Sequence, residues 1–210
     1  MLAGVDEAGR GPVLGPLVVA AVLIESDAPL RDLGVKDSKQ LTRARRDALE
    51  PRIRAVARRV ETRVLPAEEL NLRMPRENLN QIEAKAFAEL LARLQPLEAV
   101  LDACDVNAER FGREVGARLP KPCVIRSEHE ADARHPVVAA ASIIAKTERD
   151  RQMDALADRY GDCGSGYSHD ERTRAFLQDW VARRGSIPTF ARREWETTKR
   201  LAQRSLGEFG

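Results

Sequence analysis

Apolar positions along this chain fall into short runs of two different periods, and the periods alternate. Leu2 to Val5 reads as the end of an apolar strand, and Leu14 to Ile24 as a second apolar run. Within it, Val18 to Ile24 is nearly continuous in β-branched and aliphatic residues, the pattern of a strand buried on both faces. Thr42 is placed to cap a helix from about Arg43 to Arg59, with Leu49, Ile53, Val56 and Val60 at helical spacing. Val60, Thr62 and Val64 alternate as a strand, and Pro66 opens a short helix as its first helical residue.

The same alternation continues downstream. Asn78 or Asn80 caps a helix running to about Leu94, with Ile82, Ala86, Phe87, Leu90 and Leu91 on its apolar face. Leu97 to Leu101 is a strand ending at Asp102, Asn107 to Leu119 a helix, and Pro122 to Arg126 a short strand. Pro136 opens a strongly apolar helix. From Glu171 onward the pattern is helical and without strands, broken at Gly185-Ser186-Ile187-Pro188. Strands alternating with helices predict an α/β fold with a central sheet. Residues 1–170 form the sheet domain in this reading, and 171–210 a small helical extension.

Composition narrows the context. A chain of 210 residues supports one domain with an appendage. No run approaches the roughly 18 consecutive apolar residues of a membrane span, and the N-terminus lacks the charged opening of a signal peptide. Cys104, Cys123 and Cys163 are scattered and without Cys-x-x-Cys spacing, which favours a reduced, cytoplasmic protein and disfavours a structural zinc site. The net charge of +2 hides an uneven layout: eight arginines lie between Arg43 and Arg63, and eight more from Glu171 to Gly210. Basic stretches on a nearly neutral chain suit a phosphodiester partner, although arginine-rich helices are often merely solvated.

Acids stand where strands end. Asp6 and Glu7 close the first strand, Asp102 closes a later one, and Asp132 precedes a helix. Sites in α/β sheets collect at strand ends. Several carboxylates brought together repel unless cations neutralise them, so convergence implies bound Mg²⁺ or Mn²⁺. Two such ions about 4 Å apart can activate water and stabilise the leaving oxygen of a phosphodiester. Asp105 competes with Asp102 for the same role, and each lone Asp has a plain alternative as a cap or loop residue.

Gly4-Val5-Asp6-Glu7-Ala8-Gly9-Arg10-Gly11-Pro12 resembles the opening signature of ribonuclease HII. So, in the family's order, do Asp37-Ser38-Lys39-Gln40-Leu41, Leu101-Asp102, Ala131-Asp132-Ala133, Ala140 to Lys146 and Gly164-Ser165-Gly166-Tyr167. The phrase Asp102 to Asn107 is most similar to the archaeal branch. The resemblance covers about residues 1 to 200. It implies a ribonuclease H-like mixed sheet flanked by helices, with a helical C-terminal extension contacting the duplex. It further implies cleavage of RNA–DNA hybrids and of single ribonucleotides embedded in duplex DNA, on the 5′ side, leaving 3′-OH and 5′-phosphate.

Carried over by position, Asp6, Glu7, Asp102 and Asp132 are the catalytic and metal-binding acids. Gly9, Arg10 and Gly11 correspond to the segment reading the ribose 2′-OH, and Tyr167 to the ring stacking on the neighbouring deoxyribose. Lys39 and Lys146 are candidate phosphate contacts. Ser142 reads as helix packing, Trp195 as a packing anchor, and Arg192 and Arg193 as residues facing the duplex.

Two positions depart from the family pattern: Glu130, where a lysine is usual, and Ser168-His169 after Tyr167. His169 could shuttle protons or stand by at the surface. Leu206 to Gly210 is either a frayed end or a short, weak docking peptide, and a monomer is expected. Competing readings are a ribonuclease HIII-like preference for longer hybrids and a catalytically weak nucleic-acid-binding module on the same fold.

Overall fold

The computed structural model describes residues 1–35 and 41–207, with side chains as far as Gln203. Five strands make one mixed sheet in the order β3-β2-β1-β4-β5. β1 (Leu2–Ala8) runs antiparallel to β2 (Leu17–Ile24) and parallel to β4 (Glu98–Asp102), which is parallel to β5 (Val124–Glu128). β3 (Arg59–Leu65) flanks β2. All eight residues of β2 are buried, as its unbroken apolar pattern requires.

Helix ends follow local chemistry. α2 (Arg43–Val56) starts at Thr42, whose hydroxyl accepts the Arg45 N–H, and stops at Ala57. Val60, which the pattern put both at helical spacing and in the strand alternation, therefore belongs to β3. Pro66 is the cap residue of α3 (Ala67–Arg73), one position before the helix itself. Asn78, not Asn80, caps α4 (Leu79–Leu94) in a reciprocal capping box with Gln81. α5 (Ala108–Gly116) is shorter than expected and is capped by Asn107. A short α1 (Ala28–Asp32) has no counterpart in the sequence reading, its single turn being too brief to show a period. α6 (Ala131–Arg134) and α7 (Pro136–Tyr160) follow β5, and α8 (Glu171–Arg184) and α9 (Glu196–Gly207) complete the chain.

The chain forms two compact units. The first comprises residues 1–8, 18–63 and 78–148, and the second residues 9–17, 64–77 and 149–210. In the first unit the opening of α7 lies directly on β1. A Cβ at Gly4 would stand 2.4 Å from the Val137 carbonyl carbon, so only glycine allows this approach. Phe87 of α4 and Phe111 of α5 meet edge to face with centroids 5.1 Å apart. The second unit has its own core of Val13, Leu14, Met153, Cys163, Leu177, Phe190 and Ala191. Tyr160 stacks on Phe190 at 4.5 Å beside it. No helix among the described residues is long and apolar enough to cross a membrane.

Four of the eight arginines between Arg43 and Arg63 face acids. Arg43 faces Asp47, Arg54 faces Glu50, Arg59 faces Glu61 and Arg63 faces Glu89. The positive charge of this stretch is therefore partly offset by neighbouring acids.

Candidate active site

The acid cluster is built by strand register. β1 and β4 pair in parallel up to Val5 and Leu101, so the next residues, Asp6 and Asp102, emerge side by side at the carboxyl ends of adjacent strands. Asp102 Oδ1 accepts the Ala131 N–H at 2.9 Å, which ties the start of α6 to the end of β4 and brings in Asp132. The bend before α6 is made by Glu130, exposed and in the left-handed region at φ 54°. Carboxylate oxygens of Asp6, Asp102 and Asp132 all lie within 4.8 Å of one another.

Asp6 is almost fully buried. Loss of water first, then the negative charges of Glu7 and Asp102, push its carboxyl well above the usual carboxylate range. Hydrogen bonds from Ser142 and from the Glu7 N–H, the latter at 2.7 Å, act in the opposite sense. A hard donor set of three acids under mutual repulsion fits a divalent cation and stabilises no neutral alternative as well.

Glu7 takes a different direction. Consecutive strand residues point to opposite faces, and Glu7 Oε2 accepts the Cys104 thiol at 3.2 Å outside the close trio. Its charge still reaches Asp6.

Asp105 separates cleanly from Asp102. Arg110 Nη2 lies 2.6 and 2.7 Å from its two oxygens, Asn80 Nδ2 donates at 2.8 Å and the Asn107 N–H at 2.8 Å. The Arg110 hydrogen bond, then that from Asn107, hold its pKa down at about 2. Asp105 is thus a structural anchor at the entry to α5. Asp105→Asn should lower the urea midpoint at neutral pH and leave cleavage unchanged. Because the folded pKa is depressed, this contribution exists above the unfolded value of about 3.9 and disappears as pH falls from there towards about 2. A variant melting like the parent at pH 7 would contradict the assignment.

Sequence patterns concealed Ser142. Read as packing, it is buried in α7, bonded to Asp6, and accepts Lys146 Nζ at 3.0 Å. Lys146 is therefore coupled to the acid cluster through one hydroxyl. The Asp37–Gln40 part of the motif, with Lys39, lies outside the described residues.

Within the second unit, Gly9 has φ +91°, and a Cβ there would overlap Arg149 Cδ and Pro16 O at 2.6 and 2.7 Å. Gly11 lies beside Tyr167, whose Cε1 would be 3.5 Å from a Cβ at that position. The Tyr167 turn is braced from below. Thr173 Oγ1 donates to Cys163 O and accepts the Gly166 N–H, Asp170 accepts the Ser165 N–H, and Gly166 O accepts the N–H groups of Val13 and Leu14. His169 is exposed, its ring 5.3 Å from that of Tyr167.

Arg192 corrects the sequence reading outright. It is fully buried rather than facing a duplex. Its donors meet Gly15 O at 3.0 Å, Arg10 O at 3.1 Å and Gly9 O at 2.6 Å, with the Trp195 ring 4.9 Å away. Burial, then the nearby Arg149 charge, depress its pKa. Arg193 is exposed. No spacing rule marks an arginine as internal, so the sequence held no signal for this one.

Comparison with known proteins agrees with this geometry. The family model described as Ribonuclease HII matches residues 3–198. A ribonuclease HII of Archaeoglobus fulgidus is 46% identical over 209 residues, covering 100% of both chains. Among solved structures, the ribonuclease H2 of Pyrococcus horikoshii OT3 superposes with a TM-score of 0.92 at 39% identity, covering 98% of each chain. A PCNA:RNase HII complex from Archaeoglobus fulgidus contains a chain that superposes at 0.88 with 45% identity, covering 100% of both. The mixed sheet with flanking helices is accordingly the ribonuclease H-like fold. With two parallel strand ends and the start of α6 delivering three acids to one point, and a family match along nearly its whole length, this chain belongs to the ribonuclease HII family of ribonuclease H-type endoribonucleases.

Proposed function

We propose that the protein hydrolyses the phosphodiester 5′ to ribonucleotides, both in RNA–DNA hybrids and at single ribonucleotides embedded in duplex DNA, leaving 3′-OH and 5′-phosphate ends. The observation that carries this reading is the trio Asp6, Asp102 and Asp132, gathered within 4.8 Å around a carboxyl that burial and like charges oppose. Two Mg²⁺ or Mn²⁺ ions are the cofactors of choice, held by Asp6, Asp102 and Asp132 with Glu7. When bound, divalent ions supply Lewis-acid polarisation of the phosphate and acidify water for attack.

The chain's own residues do the rest. Asp6 is held in place by Ser142 and the Glu7 N–H, and Asp102 by the Ala131 N–H, so neither carboxylate must reorganise when charge develops. Lys146, held by Ser142, contacts a phosphate of the substrate, and Lys39 contacts another. Gly9, Arg10 and Gly11 recognise the ribose through backbone groups, the chemistry by which a protein tells RNA from DNA at one nucleotide. Tyr167 offers a flat ring to the adjoining sugar, favouring deoxyribose there. The helices from Glu171 onward contact the duplex.

Such an activity suits ribonucleotide excision repair in the cytoplasm by a monomer. By analogy with the Archaeoglobus complex, the tail Leu206 to Gly210 is proposed to dock weakly on PCNA.

The test is a labelled duplex carrying one ribonucleotide, incubated with Mg²⁺ or Mn²⁺. Metal-dependent incision on the 5′ side of the ribonucleotide is expected. Cleavage of long hybrids without cleavage at the single ribonucleotide would instead favour ribonuclease HIII-like specificity, and duplex binding without any cut would favour a binding module.

A further inference from the structure

Arg192 has the greatest volume among the fully buried side chains of the described residues, and all three of its hydrogen-bond acceptors are main-chain carbonyls of segment 9–15. A buried cation is costly unless its donors are all satisfied. A planar guanidinium fork can hold several acceptors at fixed angles, which a lysine ammonium cannot. What the arrangement achieves follows from peptide geometry.

Every described peptide bond here is trans, so the C=O and N–H of one peptide plane point in opposite directions. Gly9 O points at Arg192 Nη2, which turns the N–H of Arg10 away from the guanidinium. Arg10 O points at Nη1, which turns the N–H of Gly11 away likewise. Two successive backbone donors are thereby directed to the same side. Arg149 packs against Gly9 from another direction, donates to Ser165 O at 2.9 Å, and places its guanidinium 5.3 Å from the Tyr167 ring. One pair of buried arginines thus spans the Gly9–Gly11 segment and the Tyr167 turn.

We propose that Arg192 is the positioning residue for ribose discrimination: by holding the carbonyls of Gly9 and Arg10, it aims the N–H groups of Arg10 and Gly11 at the substrate's 2′-oxygen. This rests on the reading of Gly9 to Gly11 as the ribose-recognising segment. Arg192 itself touches no substrate. Its loss should degrade discrimination between ribose and deoxyribose rather than metal binding at the acids.

The experiment uses the full chain carrying Asp132→Asn to block cleavage. Fluorescence anisotropy compares affinity for a duplex with one ribonucleotide against the all-DNA duplex of the same sequence, with and without Arg192→Lys. The parent should prefer the ribonucleotide duplex, and Arg192→Lys should bring the two affinities together while weakening all-DNA binding little. In the otherwise wild-type chain, Arg192→Lys should cut kcat/KM at the ribonucleotide by about 100-fold, the scale of a small misplacement of reacting groups, with the Mg²⁺ dependence of rate unchanged. A parent with no preference would overturn the Gly9–Gly11 reading itself. A preference retained in a folded Arg192→Lys protein would overturn the role of Arg192 alone.

Should Arg192→Lys fail to fold, NMR of the Asp132→Asn protein decides. Addition of the ribonucleotide duplex, and not of all-DNA duplex, should shift the Arg10 and Gly11 amides together with the Arg192 Nε–H. Amide shifts with an unmoved Arg192 signal would sink the proposal.

Discussion

Asp6→Asn should abolish metal-dependent cleavage and at the same time make the metal-free protein more stable. Asp6 is buried beside Asp102 and Asp132 and is opposed by desolvation and by the charges of Glu7 and Asp102. Asparagine keeps the shape and an acceptor for the Glu7 N–H while removing the charge. Loss of a cation-binding carboxylate should cost at least about 4 kcal/mol of transition-state stabilisation, or about 1,000-fold in rate. Each kcal/mol of relieved repulsion should raise the melting temperature by about 2–4 °C for a chain of this length. Mg²⁺ or Mn²⁺ should raise the melting temperature of the parent and do so much less in the variant.

The pH dependence has a definite sign. A carboxyl whose folded pKa is raised binds its proton more tightly in the native state, so stability falls as pH rises from the unfolded value of about 3.9 through the raised folded value. The metal-free parent should therefore lose stability across that window, and Asp6→Asn should flatten the loss. The depressed carboxyls of Asp105 and Asp170 act at the other end, stabilising above their unfolded values and failing only in stronger acid. Thermal denaturation from pH 4 to 8 in chelator checks this. A parent whose stability climbs through that range would contradict it.

Gly9 and Gly11 should respond oppositely to the same added methyl group. At Gly9, alanine must adopt a left-handed backbone, costing about 1–2 kcal/mol, and must displace Arg149 and Pro16 O. Overpacking adds about 1–3 kcal/mol, so melting should fall on the order of 10 °C at about 2–4 °C per kcal/mol. At Gly11 the nearest atom stands at 3.5 Å, an ordinary contact, so the fold should be kept. The new methyl would nevertheless lie against the Tyr167 ring edge, and cleavage should drop by about 100-fold. Circular-dichroism melts and single-ribonucleotide cleavage separate the two. A Gly11→Ala protein that cuts normally would remove Gly11 from substrate contact.

Much of the fold was legible because it depends on local pattern. The uniform apolar run of β2, the cap at Thr42, the start of α5 and the break after α8 are written in neighbouring residues, and each lies within a few positions of where the sequence pattern put it. Errors gathered where two elements meet with similar composition, as at Ala57 to Val60, where an arginine-rich helix passes into an arginine-rich strand. Asn78 won over Asn80 because only its spacing allows the reciprocal bond with Gln81.

The candidate site divides along the same line. By itself the sequence determined the types and order of the candidate residues: acids at strand ends, a Gly-Arg-Gly turn, and a tyrosine after two glycines. These are local facts. Only the tertiary structure decided how they are grouped. Parallel register sets Asp6 beside Asp102, the Asp102–Ala131 bond recruits Asp132, and strand alternation sends Glu7 towards Cys104. Asp105, two residues before Asn107, went to Arg110 instead. Arg192, far along the chain and indistinguishable from a surface arginine by spacing, became the internal brace of Gly9 and Arg10. Contacts between residues distant in sequence depend on strand register and burial, and neither is encoded in any window short enough to read as a pattern.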